Sequence, residues 1–360
     1  MGYKLGILDQ SPIFTEKTAA DALQHTVKLA KDAEKWGYSR FWVSEHHHME
    51  GVAGSSPEAL IGYLLAKTQS IQVGSGGVML RHYSPYKVLE NFHVLSTLAP
   101  GRVDLGIGKA PGGFPLSTKA LQDGKSDNGA DFDQRLSLLK KLSDESLETT
   151  HPLFGLRVVP DPPERPKIYL LGGSSESAKL AAELRIGFVF AHFLNNDEKA
   201  LEEAAHQYRN TFPTGYFIVA ISALAALHQG EADHIAKNHR IFTIHFQDGR
   251  TLRVTSREQV SAFEKQTSET FQVTEKEANM LTGTPEKVRE ELSRLHQSYQ
   301  INEFIIHTPI LNEEVRYQSY QLLSPLQVNT RESSGEYVEE KNTIWTHAQR
   351  SRYTYECMER

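Results

Sequence analysis

Hydrophobic and polar positions along the chain follow two alternating patterns. Short apolar runs of strand length, such as Tyr3–Asp9 and Val103–Gly108, are each followed by a longer segment in which apolar residues recur every three or four positions. The first pattern is typical of a buried strand and the second of a helix with one buried face. Strands that alternate with helices predict a parallel sheet covered by those helices.

This alternation can be followed eight times along the chain. The predicted strands are Tyr3–Asp9, Arg40–Ser44, Ile71–Met79, Val103–Gly108, Ile168–Leu171, Phe188–Phe193, Tyr216–Ala223 and Glu303–His307. The predicted helices are Thr18–Trp36, Pro57–Thr68, Pro85–Leu98, Asp131–Leu147, Ser175–Leu184, Asp197–Tyr208, Ala232–Asn238, Thr284–Tyr299 and Glu313–Leu323. Eight such units fit a closed barrel better than an open sheet, so we predict an α/β fold of the (β/α)8 TIM barrel type.

Two segments between predicted elements are longer than a connection needs. Ala110–Ala130, rich in Gly, Pro, Ser and Asp, follows the fourth strand and is a candidate lid. In Arg240–Val254, apolar residues alternate on both sides of Asp248-Gly249, a pair typical of a hairpin turn. Both segments follow strands, so we expect them at the carboxyl-terminal face of the barrel, where barrel enzymes carry their active sites.

Length and composition agree with one large barrel domain. The 360 residues are 39% hydrophobic, which is enough for one large core. We place the barrel at residues 1–326, with an insertion at about 240–281. Residues 327–360 are polar and aperiodic, and we predict that they form a tail outside the barrel.

Charge and cysteine content exclude several classes of protein. Lys and Arg total 39 against 45 Asp and Glu, a net charge of −6, so no overall positive field would attract nucleic acid or an anionic membrane. The lone cysteine, Cys357, forms no intrachain disulfide or thiolate cluster, which fits the reducing cytoplasm. The sequence has neither a secretory signal nor an apolar run of membrane-spanning length. We predict a soluble cytoplasmic protein.

Four polar residues, Glu45-His46-His47-His48, come directly after the second predicted strand. Imidazole and carboxylate groups at this end of a barrel strand favour catalysis over a role limited to hydrogen bonding at the rim. Successive residues of an extended chain point to opposite sides, so the three histidines cannot all bind one metal or one substrate. We expect at most one or two of them to act together.

Two glycine-rich segments suggest a bound ligand. Gly76 and Gly77 interrupt the third strand, where either a flat ligand approaches the backbone or a narrow barrel interior needs small residues. The segment Leu171–Ser175 ends in two hydroxyl residues at a helix start, which suits a phosphate or an ordinary helix cap. Ser177 could add a hydroxyl, and Lys109, at the end of the neighbouring strand, could add a positive charge.

Several of these motifs together resemble the bacterial luciferase-like, flavin-dependent monooxygenase family. The resemblance covers about residues 3–326. The motifs that carry it are Phe41–His47, Val73–Leu80, Gly101–Gly112, Leu170–Ser177 and Gly283–Glu286. It implies a (β/α)8 barrel that binds FMN noncovalently and assembles as a dimer, here a homodimer.

The resemblance also assigns roles to individual residues. His46 corresponds to the catalytic histidine of the family, and the cis peptide on which the flavin ring rests would lie between Gly76 and Gly77. Gly108 lies in the flavin pocket, at a position where luciferase itself has a cysteine. The phosphate contacts implied by the family are Lys109, Gly173, Ser174 and Ser177. Lysine at 109 replaces an arginine, so a bidentate phosphate contact is lost.

The function implied is an FMN-dependent monooxygenase that uses reduced flavin and O2 to oxygenate a small organic substrate. Gly106 and Gly108 follow a strand, but Pro111 replaces the third glycine of a dinucleotide-binding motif, so we expect a separate NAD(P)H:flavin reductase as partner. The alternatives are a deazaflavin-dependent dehydrogenase on the same barrel and a flavin-binding protein without catalysis. A metal-dependent hydrolase using His46 and His48 is a third alternative, although no carboxylate has clear ligand spacing.

Aromatic residues near the predicted rim favour an apolar or aromatic substrate, although aromatic residues at this density more often belong to the core. The candidates are Phe14, Trp42, Phe114 and Phe193.

Overall fold

The computed structural model describes residues 2–123, 131–195, 197–237, 239–247, 251–254, 256–277 and 280–326. The strands in chain order are β1 (Lys4–Asp9), β2 (Arg40–Val43), β3 (Gln72–Met79), β4 (Val103–Gly108), β5 (Lys167–Gly172), β6 (Gly187–Ala191), β7 (Phe217–Ala225), β8 (Arg240–Phe246), β9 (Thr251–Val254), β10 (Phe271–Glu277), β11 (Leu281–Gly283) and β12 (Glu303–His307). The helices are α1 (Ala19–Lys35), α2 (Pro57–Lys67), α3 (Pro85–Leu98), α4 (Pro115–Leu121), α5 (Phe132–Ser143), α6 (Ser175–Glu183), α7 (His192–Asn195), α8 (Glu198–Thr211), α9 (Gln229–Lys237), α10 (Arg257–Glu264), α11 (Pro285–Tyr299) and α12 (Glu313–Leu322).

The strands β1 to β7 and β12 form the closed parallel barrel that the sequence predicts. Each pairs in parallel with its neighbour in the order β1-β2-β3-β4-β5-β6-β7-β12, and β12 pairs with β1 to close the ring. The short strand β11 adds to the end of β7. The predicted (β/α)8 fold is therefore confirmed.

Local sequence explains where many helices begin and end. In α1, Thr18 and Asp21 form a capping box, and Gly37 takes the left-handed conformation, with φ of 82°, just after the last turn. Proline occupies the first turn of α2 and α3, where its missing N–H leaves no hydrogen bond unmade. Several predicted boundaries are wrong. The predicted helix Asp131–Leu147 ends at Ser143, the predicted helix Ala232–Asn238 begins at Gln229, and the predicted loop Ala110–Ala130 contains the helix α4. The strand Phe188–Phe193 ends at Ala191, because the chain turns into the single helical turn α7.

Alternation along the strands places side chains inside the barrel in layers. At the amino-terminal end, Arg40 donates hydrogen bonds of 2.7 Å to both Asp104 and Glu303, and these buried charges form the lowest layer. The apolar layer above it consists of Leu8, Trp42, Tyr169, Val189, Ile218, Ala220 and Ile305. The next inward positions are Gln10, Ser44, Gly76, Gly108, Leu171, Ala191, Ser222 and His307, most of which are small or polar. We call the carboxyl-terminal end of the barrel the mouth.

The insertion forms a small antiparallel sheet in the order β10-β8-β9, with α10 beside it. The predicted pairing of β8 with β9 is confirmed, whereas β10 and α10 were not predicted. Its apolar residues, among them Phe242 and Phe263, pack with Phe114 from the β4–α4 loop and Met49 from the β2–α2 loop. Because both loops follow barrel strands, the insertion lies over the carboxyl-terminal face, as expected. The hairpin turn at Asp248-Gly249, residues 124–130 of the candidate lid and the tail 327–360 with Cys357 lie outside the described residues.

Candidate active site

His46 lies at the mouth, three residues after the end of β2, and is half-buried. Its backbone N–H donates to the carbonyl oxygen of Gly54 at 2.8 Å, and its Nε2 lies 3.3 Å from Nε2 of Gln10, which follows β1. Burial, together with the neighbouring His47, lowers the pKa of His46 to about 4. The imidazole is therefore neutral at pH 7 and can accept a proton or a hydrogen bond.

His47 points away from His46, as the alternation of an extended chain predicts. Its Nε2 donates to the buried carboxylate of Glu45 at 2.7 Å, and the same carboxylate accepts from the hydroxyl of Tyr83 at 2.8 Å and from the backbone N–H of Met79 at 3.1 Å. His48 is exposed and takes a left-handed conformation, with φ of 55°. Of the three histidines, His46 is the one that contacts Gln10 at the mouth.

The peptide bond between Gly76 and Gly77 is cis, as the family resemblance implied. A Cβ on Gly77 would lie 2.7 Å from the carbonyl oxygen of Gly106 on β4, and a Cβ on Gly76 would lie 2.7 Å from Cδ1 of Leu8. Small residues are thus needed here for close packing, one of the two interpretations the sequence left open. Gly76 is nevertheless half-buried while its strand neighbours are buried, so its backbone is open to the mouth.

The loop between β5 and α6 contains a helix cap and a glycine with free space beside it. Ser174 is the N-cap of α6, and its side chain accepts a hydrogen bond from the backbone N–H of Ser177 at 3.3 Å. Gly172 lets the chain pack on Ser177, because a Cβ there would lie 2.4 Å from Cβ of Ser177. A Cβ on Gly173 would meet nothing within 4 Å. Ser174 therefore caps α6, and Gly173 leaves room for a ligand.

The first turn of α6 already stabilises a negative charge. Hydrogen bonds from its own backbone N–H and from the Ser174 side chain lower the pKa of the Glu176 carboxyl. This carboxylate is fully exposed, so a phosphate could take its place without a desolvated charge being left behind.

Gly108 ends β4, and Lys109 follows it, beside this loop. Gly108 is buried against Met79, whose sulfur would lie 3.2 Å from a Cβ on the glycine. The Lys109 side chain is 61% exposed and turns towards α5, where its Nζ lies 3.6 Å from Oδ1 of Asp133 and 5.5 Å from the ring centre of Phe132. A phosphate at α6 would have to compete with Asp133 for this lysine.

A second histidine, His307, lies at the mouth and was not among the predicted site residues. It ends β12, is only 8% exposed and faces the mouth. Its Nδ1 has no hydrogen-bond partner in the part of the chain that the structure describes. Burial, with the nearby Arg316 guanidinium, lowers the pKa of His307 to about 3. The signal in the sequence was an imidazole at the last inward position of a barrel strand.

Most of the aromatic residues proposed to line a substrate site belong to cores. Trp42 lies inside the barrel and donates to Asp104 at 3.0 Å, Phe114 packs in the core of the insertion, and Phe14 is buried against His25. Phe193 is half-buried at the mouth, with its ring centre 5.6 Å from that of His307. Of the four, Phe193 alone stays a candidate for contact with a substrate.

Two surface cavities, of about 590 and 510 Å³, lie at the opposite end of the barrel. Their linings include Lys4, Arg40 and Lys167, which begin β1, β2 and β5. We do not assign the active site there, because barrel enzymes place catalytic groups at the carboxyl-terminal ends of the strands. Among the described residues, no group of three His, Cys, Asp or Glu side chains could hold a metal ion. No described helix is long and apolar enough to cross a membrane.

Comparisons with known proteins agree with this geometry. A family profile described as luciferase-like monooxygenase matches residues 3–300. The N-acetyl-S-alkylcysteine monooxygenase of Bacillus subtilis (strain 168) is 49% identical over 325 residues, which cover 89% of this chain and 97% of the relative.

Solved structures share the fold. Apo-MsnO8 is 31% identical with a TM-score of 0.71, and the match covers 89% of this chain and 96% of that chain. The oxygenating constituent of 3,6-diketocamphane monooxygenase from Pseudomonas putida, solved with FMN, is 16% identical with a TM-score of 0.65 and covers 90% of this chain and 97% of that chain. At 16% identity the likeness shows the fold alone.

Proposed function

The chain belongs to the luciferase-like monooxygenase family, and from this premise we propose that it is an FMN-dependent monooxygenase that oxygenates a small organic substrate with O2. One observation carries the choice of cofactor. Gly76, Gly108 and Gly173 follow one another on β3, β4 and the end of β5, and none has a side chain. We call these three residues the glycine strip. It leads from the region of His46 to the start of α6, as a flat ring with a phosphate tail requires.

The residues present fit FMN. Gly76 is half-buried, so its backbone can be approached by the ring, and Gly173, with Ser174 and Ser177, offers N–H and hydroxyl groups for the phosphate. Lys109 would add a positive charge on leaving Asp133. Bound in its reduced form, FMN would supply the two electrons with which one atom of O2 enters the substrate and the other leaves as water.

The protein itself would position groups and exclude water. His46, neutral at pH 7, would accept a proton or a hydrogen bond at the reacting edge of the ring. Gln10, 3.3 Å from its Nε2, would hold the orientation of the imidazole. The insertion, packed on Phe114 and Met49, would cover the mouth and keep bulk water from the reaction.

A thioether is the first substrate class to test. The relative named an N-acetyl-S-alkylcysteine monooxygenase is 49% identical over 97% of its length, so S-alkyl derivatives of N-acetylcysteine are the compounds we propose. The reduced flavin would come from a separate NAD(P)H:flavin reductase in the cytoplasm, since Pro111 stands where a dinucleotide-binding motif beginning at Gly106 would need its third glycine.

A homodimer is part of the proposal. The adjacent helices α2 and α3 carry exposed apolar side chains, Tyr63, Val94 and Leu98, of which Leu98 is 75% exposed. Apolar side chains grouped on neighbouring helices are typical of protein interfaces. We expect sedimentation equilibrium to give twice the chain mass and Leu98→Glu to shift it to one chain mass. An unchanged dimer in Leu98→Glu would place the interface elsewhere.

The test of the function is an anaerobic titration with oxidised and with dithionite-reduced FMN, followed by mixing with O2 while the absorbance spectrum is recorded. We expect reduced FMN to bind, a transient spectrum distinct from both flavin forms, and oxygenated thioether as product. His46→Ala should keep FMN and lose the product. FMN binding without product from any thioether would favour a binding protein, and a preference for a deazaflavin cofactor would favour a dehydrogenase.

A further inference from the structure

The strand that carries His307 lies across the barrel from the glycine strip. In the closed ring, β12 is four strands from β4 in either direction, and β4 carries Gly108. Glu303 and Ile305, at the alternate positions of β12, point inward, since Glu303 binds Arg40 and Ile305 packs in the interior apolar layer. The same alternation points His307 inward, at the layer where the mouth opens.

His307 is a buried side chain with an unmet hydrogen bond. It is 8% exposed, and its Nδ1 has no partner in the residues that the structure describes. Leaving such an atom unpaired in a buried place costs about 1–3 kcal/mol, so the position is explained best by a ligand that supplies the partner. The Phe193 ring, 5.6 Å away, makes one side of this place apolar.

The charges around His307 cancel. Arg316 and Asp9 lie near it, but they are bound to each other at 2.6 Å, and the other titratable neighbours are His46 and His239. Burial lowers the pKa of each of these two histidines, so neither adds a full charge at pH 7. A neutral imidazole has one donor nitrogen and one acceptor nitrogen, which suits an uncharged polar group better than a carboxylate.

We propose that His307 is a substrate-recognition residue, which hydrogen-bonds an uncharged amide of the substrate beside the ring of Phe193. The proposal rests on the proposed function and adds to it a residue and a chemical group. The amide of an N-acylated amino acid is a substrate group of this kind. A thioether held from this side of the mouth would face the glycine strip, and therefore the flavin.

The test compares two thioether acids that differ in the amide. N-acetyl-S-benzylcysteine has the amide, and 3-(benzylthio)propanoate has the thioether and the carboxylate without it. We expect wild type to prefer the first compound in kcat/KM, and His307→Phe to lose about 10- to 100-fold of that preference. His307→Asn, which keeps a neutral amide N–H, should restore part of it. His206→Asn, on the exposed surface of α8, is the control for loss of an imidazole.

The FMN dissociation constant separates this role from others. We expect it to change less than about twofold in His307→Phe, because the contact is to the substrate. A raised FMN dissociation constant with unchanged preference would overturn the proposal in favour of a flavin contact. An equal loss of kcat/KM for both thioethers would also overturn it, since the amide would then not be the group bound.

Failure of the proposed function gives a different result. Wild type would then bind FMN but oxygenate neither compound. Calorimetric binding of the two acids to the FMN-loaded protein still tests His307 in that case. Preferential binding of the N-acetyl compound that His307→Phe abolishes supports the recognition role, and absence of any preference in wild type overturns it.

Discussion

Arg316 on α12 donates a hydrogen bond from Nη2 to Oδ1 of Asp9, at the end of β1, over 2.6 Å, and both side chains are buried. Thr26 donates to the other oxygen of Asp9 at 2.6 Å, and Arg316 Nε donates to the carbonyl oxygen of Thr308 at 3.1 Å. The pair therefore joins α12 to the ends of β1 and β12. Gln10 and His307, which face the mouth, are neighbours in sequence of the residues it holds.

Removal of one member of this pair should destabilise the barrel strongly. In Arg316→Met the Asp9 carboxylate stays buried without its cation, and we expect the free energy of unfolding to fall by about 3–5 kcal/mol. Urea unfolding measures this loss of free energy. The control is Arg294→Met, which breaks an exposed pair with Glu198 and should cost less than about 1 kcal/mol. Equal losses in both variants would contradict the prediction.

Stability should fall in mild acid because of His46 and His307. Their pKa values in the folded protein, about 4 and about 3, are below the ordinary 6.5, so the unfolded chain binds protons first. The histidine contribution is complete above pH 6.5 and is lost as the pH falls towards 4. Between about pH 6.5 and 5 the free energy of unfolding should drop by about 2 kcal/mol per histidine. The free energy of unfolding should depend less steeply on pH in His307→Asn than in wild type, and His206→Asn should not change this dependence. Equal pH dependence in wild type and His307→Asn would contradict the explanation.

The two glycines before α6 should differ in their effect on stability. Alanine at Gly172 would place its Cβ 2.4 Å from Cβ of Ser177, so Gly172→Ala should destabilise by about 1–3 kcal/mol. Gly173→Ala meets nothing within 4 Å and should change stability by less than about 0.5 kcal/mol. FMN affinity should nevertheless fall in Gly173→Ala, because the added methyl group would occupy the space that we propose for the phosphate. Thermal unfolding measures the packing role of Gly172, and FMN titration measures the binding role of Gly173. A larger loss of stability in Gly173→Ala than in Gly172→Ala would contradict the packing described for Gly172.

A negative charge at the N-cap of α6 should weaken phosphate binding without lowering stability. Ser174→Asp keeps an N-cap acceptor, so stability should be maintained, whereas Ser174→Ala should cost about 1 kcal/mol. The added carboxylate repels a phosphate, and the FMN dissociation constant of Ser174→Asp should rise at least about tenfold. Riboflavin, which lacks the phosphate, should bind both proteins equally. A similar loss for riboflavin would place the phosphate elsewhere.

Release of Lys109 from Asp133 should strengthen FMN binding. Asp133→Asn removes the partner at 3.6 Å without changing the lysine, so FMN should bind more tightly while riboflavin is unaffected. Lys109→Met should weaken FMN binding and leave stability within about 0.5 kcal/mol, because this ion pair is exposed. Unchanged FMN affinity in both variants would remove Lys109 from the phosphate site.

Much of the candidate site could be predicted from local sequence, for a physical reason. A residue at the end of a barrel strand lies at the mouth whatever its neighbours are, which is why His46, Gly76 and Lys109 could be proposed from strand ends and glycines. Where their side chains point could not be predicted. Lys109 turns to Asp133 on α5, and that depends on how α5 packs beside β4.

The insertion, too, could be predicted only in part from local sequence. The alternation in β8 and β9 is local, and the hairpin could be predicted from it. The third strand, β10, is mostly exposed and charged, and it pairs with β8 through backbone hydrogen bonds, which no side-chain pattern reports.

The sequence by itself determined the order of the eight barrel strands and of the helices that alternate with them, and with it the barrel, because hydrophobic periodicity is a property of neighbouring residues. It also determined that three successive histidines cannot share one ligand. Only the tertiary structure decided that His47 turns to Glu45, and that His307 remains buried at the mouth with an unpaired nitrogen. Those outcomes depend on partners brought together from distant elements, and burial and hydrogen bonding exist only once the barrel has closed.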